Sequence, residues 1–132
     1  MPPHILLVDD DELNRFVGQE LLQGIGVKVS LAESGQDAIS QLQTEVFDLI
    51  FMDVSMPELD GYETTRRIRA NRQFTDLPIV ALTAHAFASE RGRCLAAGMS
   101  DHLGKPFTLD DLRLMIQKWS PGNGLHQELP AR

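Results

Sequence analysis

Two hydrophobic patterns alternate along the chain. Short apolar runs bounded by turn-forming residues read as strands buried on both faces, and longer stretches with apolar residues three and four apart read as amphipathic helices. Residues 4–8 make the first strand, after which Leu13, Phe16, Val17 and Leu21 recur at helical spacing until Gly24 and Gly26 stop the helix. Residues 27–32 give a shorter second strand. Ser34, with Asp37 three residues on, opens a helix carrying Ala38, Ile39 and Leu42 on one face. The third strand is the apolar stretch 47–52, interrupted only by Asp48, and it ends abruptly on Asp53. Asp60-Gly61, with Glu63 in capping position, starts a helix over 61–70, ahead of a turn-prone segment 71–76. A fourth strand over 78–82 runs into Thr83. The helix after it, near 86–97, holds Gly92, which costs on the order of 1 kcal/mol against alanine. Residues 101–104 form a brief fifth strand ending in Lys105-Pro106. The last helix opens at Thr108 with Asp111 as capping partner and buries Leu109, Leu112, Met115, Ile116 and Trp119.

Five such alternations predict an α/β fold: a flavodoxin-like, doubly wound, five-stranded parallel sheet of order 2-1-3-4-5 with helices on both faces. Residues 1–120 form a single domain, and 121–132 a polar tail or linker. The 132 residues leave no room for a second core. No run approaches the eighteen or so apolar residues of a membrane span, and the start passes straight into a strand without a basic or cleavable segment. A cytoplasmic location with no membrane contact is expected. A lone Cys94, set among Leu95 and Ala96, reads as a buried thiol in a reducing compartment. The net charge of −7 argues against nucleic-acid binding, and Arg66, Arg67 and Arg69 read as a solvated helix face.

In the 2-1-3-4-5 order the carboxyl ends of strands one, three, four and five adjoin, which gathers Asp9, Asp10, Asp53, Thr83 and Lys105 at one rim. Three carboxylates that close repel one another, and one lysine cannot neutralise them all. A divalent cation completes such a site. Oxygen donors without the Cys or His spacing of zinc favour Mg²⁺, with Mn²⁺ or Ca²⁺ as substitutes. The set suits phosphoryl transfer, in which Asp53 is the nucleophile and Asp10, Asp53 and a backbone carbonyl near Ser55 hold the metal. Lys105 and the Thr83 hydroxyl face other phosphoryl oxygens, and Asp9 orients water on the metal from outside the ligand set.

Val8-Asp9-Asp10, Met52-Asp53 with Met56-Pro57 and Asp60-Gly61, Leu82-Thr83-Ala84, and Lys105-Pro106-Phe107 together resemble the receiver domain of bacterial two-component response regulators. The match runs from about Ile5 to Trp119. Glu12-Leu13-Asn14-Arg15, and the segment from Ala84-His85 to Gly98-Met99, resemble receivers fused to hybrid sensor histidine kinases. The resemblance implies a Mg²⁺-dependent switch that takes a phosphoryl group from phosphohistidine onto Asp53. It also implies a cis Lys105-Pro106 bond, and partners that are a histidine kinase phosphodonor domain or a histidine phosphotransfer domain. Its chemistry is self-phosphorylation and dephosphorylation within a larger kinase, or in a stand-alone regulator. The family's switch pair falls on Thr83 and His102, the second normally aromatic, and Ser55 and His85 stand where the family tunes acyl-phosphate lifetime.

Plainer readings accompany these. Asp11 is expected to cap a helix, His4 and His126 to be surface residues, and Tyr62 and Trp119 to pack. Two rival functions exist. One is a phosphatase of the haloacid dehalogenase type, in which Asp9 is the nucleophile and Asp11 the acid/base. Against it, Leu13 replaces a small hydroxyl residue and no cap domain fits. The other is a degenerate interaction module, which the complete acid, hydroxyl and lysine set disfavours.

Overall fold

The computed structural model describes residues 2–84 and 88–120. The elements are β1 (His4–Val8), α1 (Glu12–Ile25), β2 (Lys28–Ala32), α2 (Gly35–Leu42), β3 (Leu49–Asp53), α3 (Gly61–Arg69), β4 (Ile79–Thr83), α4 (Ala88–Ala97), β5 (Asp101–Gly104) and α5 (Leu109–Trp119). A 3-10 turn at Arg72–Phe74 occupies the turn-prone segment after α3. His85, the start of the helix expected from residue 86, the tail over 121–132 and His126 lie outside the described residues.

All five strands are parallel, in the order β2-β1-β3-β4-β5. Strand residues alternate between two apolar layers, as a pleat of period two requires. Leu6, Val8, Ile50, Met52, Ile79 and Ala81 meet Ala38, Leu42, Ile68, Cys94 and Ala97 on one side. On the other, Ile5, Leu7, Leu49, Phe51, Val80 and Leu82 meet Leu22, Leu112 and Ile116. Because β3 and β4 are buried along their whole length, they read as unbroken apolar runs. The caps set the helix starts. Ser34, Asp60 and Thr108 each accept from the amide three residues on, and Thr108 with Asp111 forms a full capping box.

Four expectations change. Leu13, Phe16 and Val17 are 66, 57 and 46% exposed, and α1 instead seats Gly18 and Leu22 on the sheet. A Cβ at residue 18 would stand 2.6 Å from Leu7 Cδ2, so the contact face is set by a glycine that a hydrophobic count ignores. Asp11 has the extended backbone of an N-cap, but its side chain makes no capping bond. His4 is no plain surface residue: its Nδ1 lies 3.1 Å from the Val46 carbonyl, its Nε2 2.7 Å from Ser30 Oγ, and its ring packs on Phe47. Arg69 leaves the solvated face. Its guanidinium donates to the carbonyls of Gly98, Phe74 and Leu77 at 2.6–2.8 Å, tying α3 to the segments before β4 and β5. Arg66 and Arg67 do stay exposed, paired with Glu63.

Candidate active site

The register brings the chemistry to one rim. Val8 pairs with Met52, which sets Asp9 level with Asp53, while Asp53 pairs with Leu82 and Thr83 with Gly104, immediately before Lys105. Such a rim at the carboxyl ends of parallel strands is where open α/β sheets bind ligands. Asp9, Asp53 and Thr83 are buried there, and Asp10 is exposed.

Lys105 Nζ lies 3.2 Å from Asp9 Oδ2 and 3.3 Å from Asp53 Oδ1, so one ammonium bridges two buried carboxylates. Asp53 Oδ1 also accepts from the Ser55 amide at 3.2 Å, and Asp9 Oδ1 from the Asp11 amide at 2.9 Å. The Lys105 amide donates to the Thr83 carbonyl at 2.7 Å, docking the loop after β5 against β4. The Lys105–Pro106 peptide bond is cis. Under Asp53, the α3 N-terminus comes so close that a Cβ on Gly61 would stand 2.4 Å from the Asp53 carbonyl oxygen. Along the chain Asp60-Gly61 marks only the start of a helix; the packing role of Gly61 is visible only in the fold. Thr83 lies on the same face of the sheet as Ala81, whose neighbour on β5 is His102. His102 is only partly buried, with Nδ1 3.9 Å from Asp101 Oδ1, beside a pocket lined by Cys94, Leu95, Lys118 and Trp119. Trp119 does more than pack, since its Nε1 donates to Asp101 Oδ2 at 3.1 Å.

Burial pushes the Asp53 carboxyl up to about 6, helped by the negative charge of Asp9 and opposed by Lys105 and the Ser55 amide. One cation is therefore too few for the acids gathered here. Asp9, Asp10 and Asp53 each offer an oxygen, and the three atoms lie within 4.8 Å of one another. An all-oxygen donor set with excess negative charge fits a hard divalent ion such as Mg²⁺.

The model of the response regulator receiver domain matches residues 5–117. The chain is 44% identical over 133 residues to the sensor histidine kinase GacS of Pseudomonas protegens, covering 98% of this chain but 14% of that protein. It is 42% identical over 109 residues to the sensor histidine kinase RcsC of Salmonella typhi, covering 83% of this chain and 11% of that one. Among solved structures, it resembles the receiver domain of sensor histidine kinase PA1611 from Pseudomonas aeruginosa, described with a magnesium ion coordinated in the active site cleft. The two share 40% identity with a TM-score of 0.83, over 90% of this chain and 98% of that one. The Vibrio cholerae chemotaxis protein CheY4 is 30% identical with a TM-score of 0.85, over 90 and 99% of the two chains. None of these supports the haloacid dehalogenase alternative, and the Asp9 carboxylate it needs as nucleophile is engaged by Lys105 and the Asp11 amide. Receiver domains of hybrid kinases accept phosphoryl groups from histidine-containing domains, at an acidic pocket that binds Mg²⁺. The chain belongs to the response regulator receiver domain family, as a phosphoacceptor of phosphorelay signalling closely similar to the receivers of hybrid sensor histidine kinases.

Proposed function

We propose that Asp53 is the phosphoryl acceptor, that Thr83 and Lys105 complete its site, and that Asp10, Asp53 and the Ser55 backbone carbonyl hold Mg²⁺, with Asp9 outside the ligand set. The observation that carries this reading is the bridging of two buried carboxylates by Lys105 beside a third acid, with Asp53 raised to about 6. Bound Mg²⁺ supplies charge neutralisation at the transferring phosphoryl group, and Mn²⁺ or Ca²⁺ can replace it as a ligand. An Asp53 oxygen attacks phosphorus, the N–P bond of the donor phosphohistidine breaks with its electron pair returning to the ring, and an aspartyl phosphate forms. The Lys105 ammonium then leaves its two carboxylates to meet a phosphoryl oxygen, and the Thr83 hydroxyl donates to another. These contacts draw Thr83, at the end of β4, and Lys105, just after β5, toward the phosphoryl group and shift the population toward one arrangement.

The phosphodonor is a histidine kinase domain or a histidine phosphotransfer domain. Exposed Leu13 and Val17 on α1 support this, because with Lys105, Pro106 and Phe107 they line a cleft of about 330 Å³ at the mouth of the site, and exposed Phe16 adds to the same helix's apolar surface. The parent is a hybrid sensor kinase with this domain in the cytoplasm; a stand-alone regulator is the second reading. The chain spans about one seventh of the GacS relative, and no described helix is long and apolar enough to cross a membrane. To test the reading, a phosphorylated histidine phosphotransfer domain is mixed with the protein. Label moves to the protein with Mg²⁺ and stays on the donor in EDTA; movement independent of any divalent ion counts against it.

A further inference from the structure

Asp9 is held at every polar atom. Its amide donates to the Ala32 carbonyl at 3.1 Å, Oδ1 accepts from the Asp11 amide, and Oδ2 accepts from Lys105. Its carbonyl oxygen accepts from Arg15 Nη1 at 2.7 Å. Asp10 is the opposite case, an exposed carboxylate with no hydrogen bond or ion pair among the described residues. Its direction is therefore set by the backbone that carries it. The Asp9 carbonyl belongs to the planar peptide unit that includes the Asp10 amide and Cα, so a donor on that oxygen fixes the plane from which the Asp10 side chain departs.

We propose that Arg15 is a positioning residue of the phosphoryl-transfer site: its guanidinium clamps the Asp9–Asp10 peptide and so aims Asp10 at the cation shared with Asp53. Its place in the fold suits the task. The Arg15 amide donates to the Asp11 carbonyl at 3.0 Å, which puts Arg15 in the first turn of α1. Helical side chains lean toward the N-terminus, so this one reaches back over the acidic turn. Arg15 also lines, with Asp10, Glu58 and Arg67, a cleft of about 560 Å³ on the Asp10 side of the site. The inference rests on the reading of Asp10 and Asp53 as cation ligands.

Positioning and simple charge predict opposite signs. Deleting a positive group near a cation site tightens cation binding if only charge matters, and loosens it if the group holds a ligand in place. Mg²⁺ is titrated calorimetrically into the wild-type protein, Arg15→Met and Arg15→Lys, at ionic strength high enough to shorten the Debye length to roughly 5 Å. Arg15→Met is expected to bind Mg²⁺ at least about 3-fold more weakly, with the metal-free melting temperature within about 2 °C of wild type, and Arg15→Lys, which keeps a donor and the charge, to fall between. Labelling by acetyl phosphate should need more Mg²⁺ yet reach a rate within about 2-fold of wild type at saturation. Equal or tighter Mg²⁺ binding by Arg15→Met overturns the inference. Should Arg15→Met melt early, Arg15→Gln takes its place under the same criteria. A wild-type protein that binds no Mg²⁺ refutes the metal site itself, a result distinct from a failure of Arg15 alone.

Discussion

Lys105 Nζ stands 3.3 Å from Asp53 Oδ1 across a buried rim, and the same ammonium reaches Asp9. The lysine is thus the resident counter-charge of the Asp53 carboxylate. Arrival of a divalent ion or a phosphoryl group must redistribute it.

Asp53 makes stability depend on pH. Its folded value near 6 lies above the ordinary 3.8, so in the metal-free protein the fold retains a proton that the unfolded chain has lost. Stability therefore falls as pH rises from about 4 through 6, and the penalty, on the order of 2–3 kcal/mol, is fully present above that window. Asp53→Asn is expected to stabilise the protein in EDTA at pH 7.5 by about that amount and by much less at pH 4.5. Denaturant melts at both values check it, and an equal effect at the two would contradict it.

Lys105→Ala removes the main group holding Asp53 down. The Asp53 midpoint should climb above 6, Mg²⁺ binding should persist at pH 8, and phosphoryl labelling should slow by about 100-fold. The pH dependence of Mg²⁺ titrations measures the first effect, and labelling rates the last.

Two glycines should respond in opposite directions to alanine. At Gly61 the new methyl group meets the Asp53 carbonyl oxygen at 2.4 Å and Val54 Cα at 2.8 Å, so α3 must shift, at about 1–3 kcal/mol, with loss of labelling. At Gly92 in α4 nothing lies within 4 Å, and the gain in helix propensity should stabilise by about 1 kcal/mol. Chemical denaturation of both variants decides this.

Arg69→Met strips donors from three carbonyls and should cost about 2–4 kcal/mol, whereas Arg66→Ala and Arg67→Ala should change stability by less than about 0.5 kcal/mol. Thermal melts separate the cases.

Phe16→Ala probes the α1 face. With the ring 57% exposed, stability should move little and labelling by acetyl phosphate should be unchanged, while transfer from a histidine phosphotransfer domain slows about 10-fold. Equal slowing with both donors would place Phe16 in the site itself.

The strand order and the gathering of Asp9, Asp53, Thr83 and Lys105 were legible in the sequence, because apolar runs ending on polar residues mark the carboxyl edge of a parallel sheet. The caps at Ser34, Asp60 and Thr108 were legible too, since each is a local pattern. What failed was information about faces and distant partners. Spacing alone gave α1 an apolar stripe but not its contact face, which Gly18 decides by fitting over Leu7. Arg69 is indistinguishable from Arg66 and Arg67 along the chain, and only the carbonyls arriving from Phe74, Leu77 and Gly98 set it apart. Asp11 keeps the extended backbone of an N-cap but its side chain makes no capping bond, and nothing in the run Asp9-Asp10-Asp11 distinguishes it from an acid that does.

Mapping the phosphoryl group after incubation with acetyl phosphate and Mg²⁺ tests the central claim most directly. Peptide mass spectrometry should find the added phosphoryl mass on the segment containing Asp53, absent from Asp53→Asn and from samples in EDTA. Label on Asp9, or label that persists in Asp53→Asn, would contradict the account.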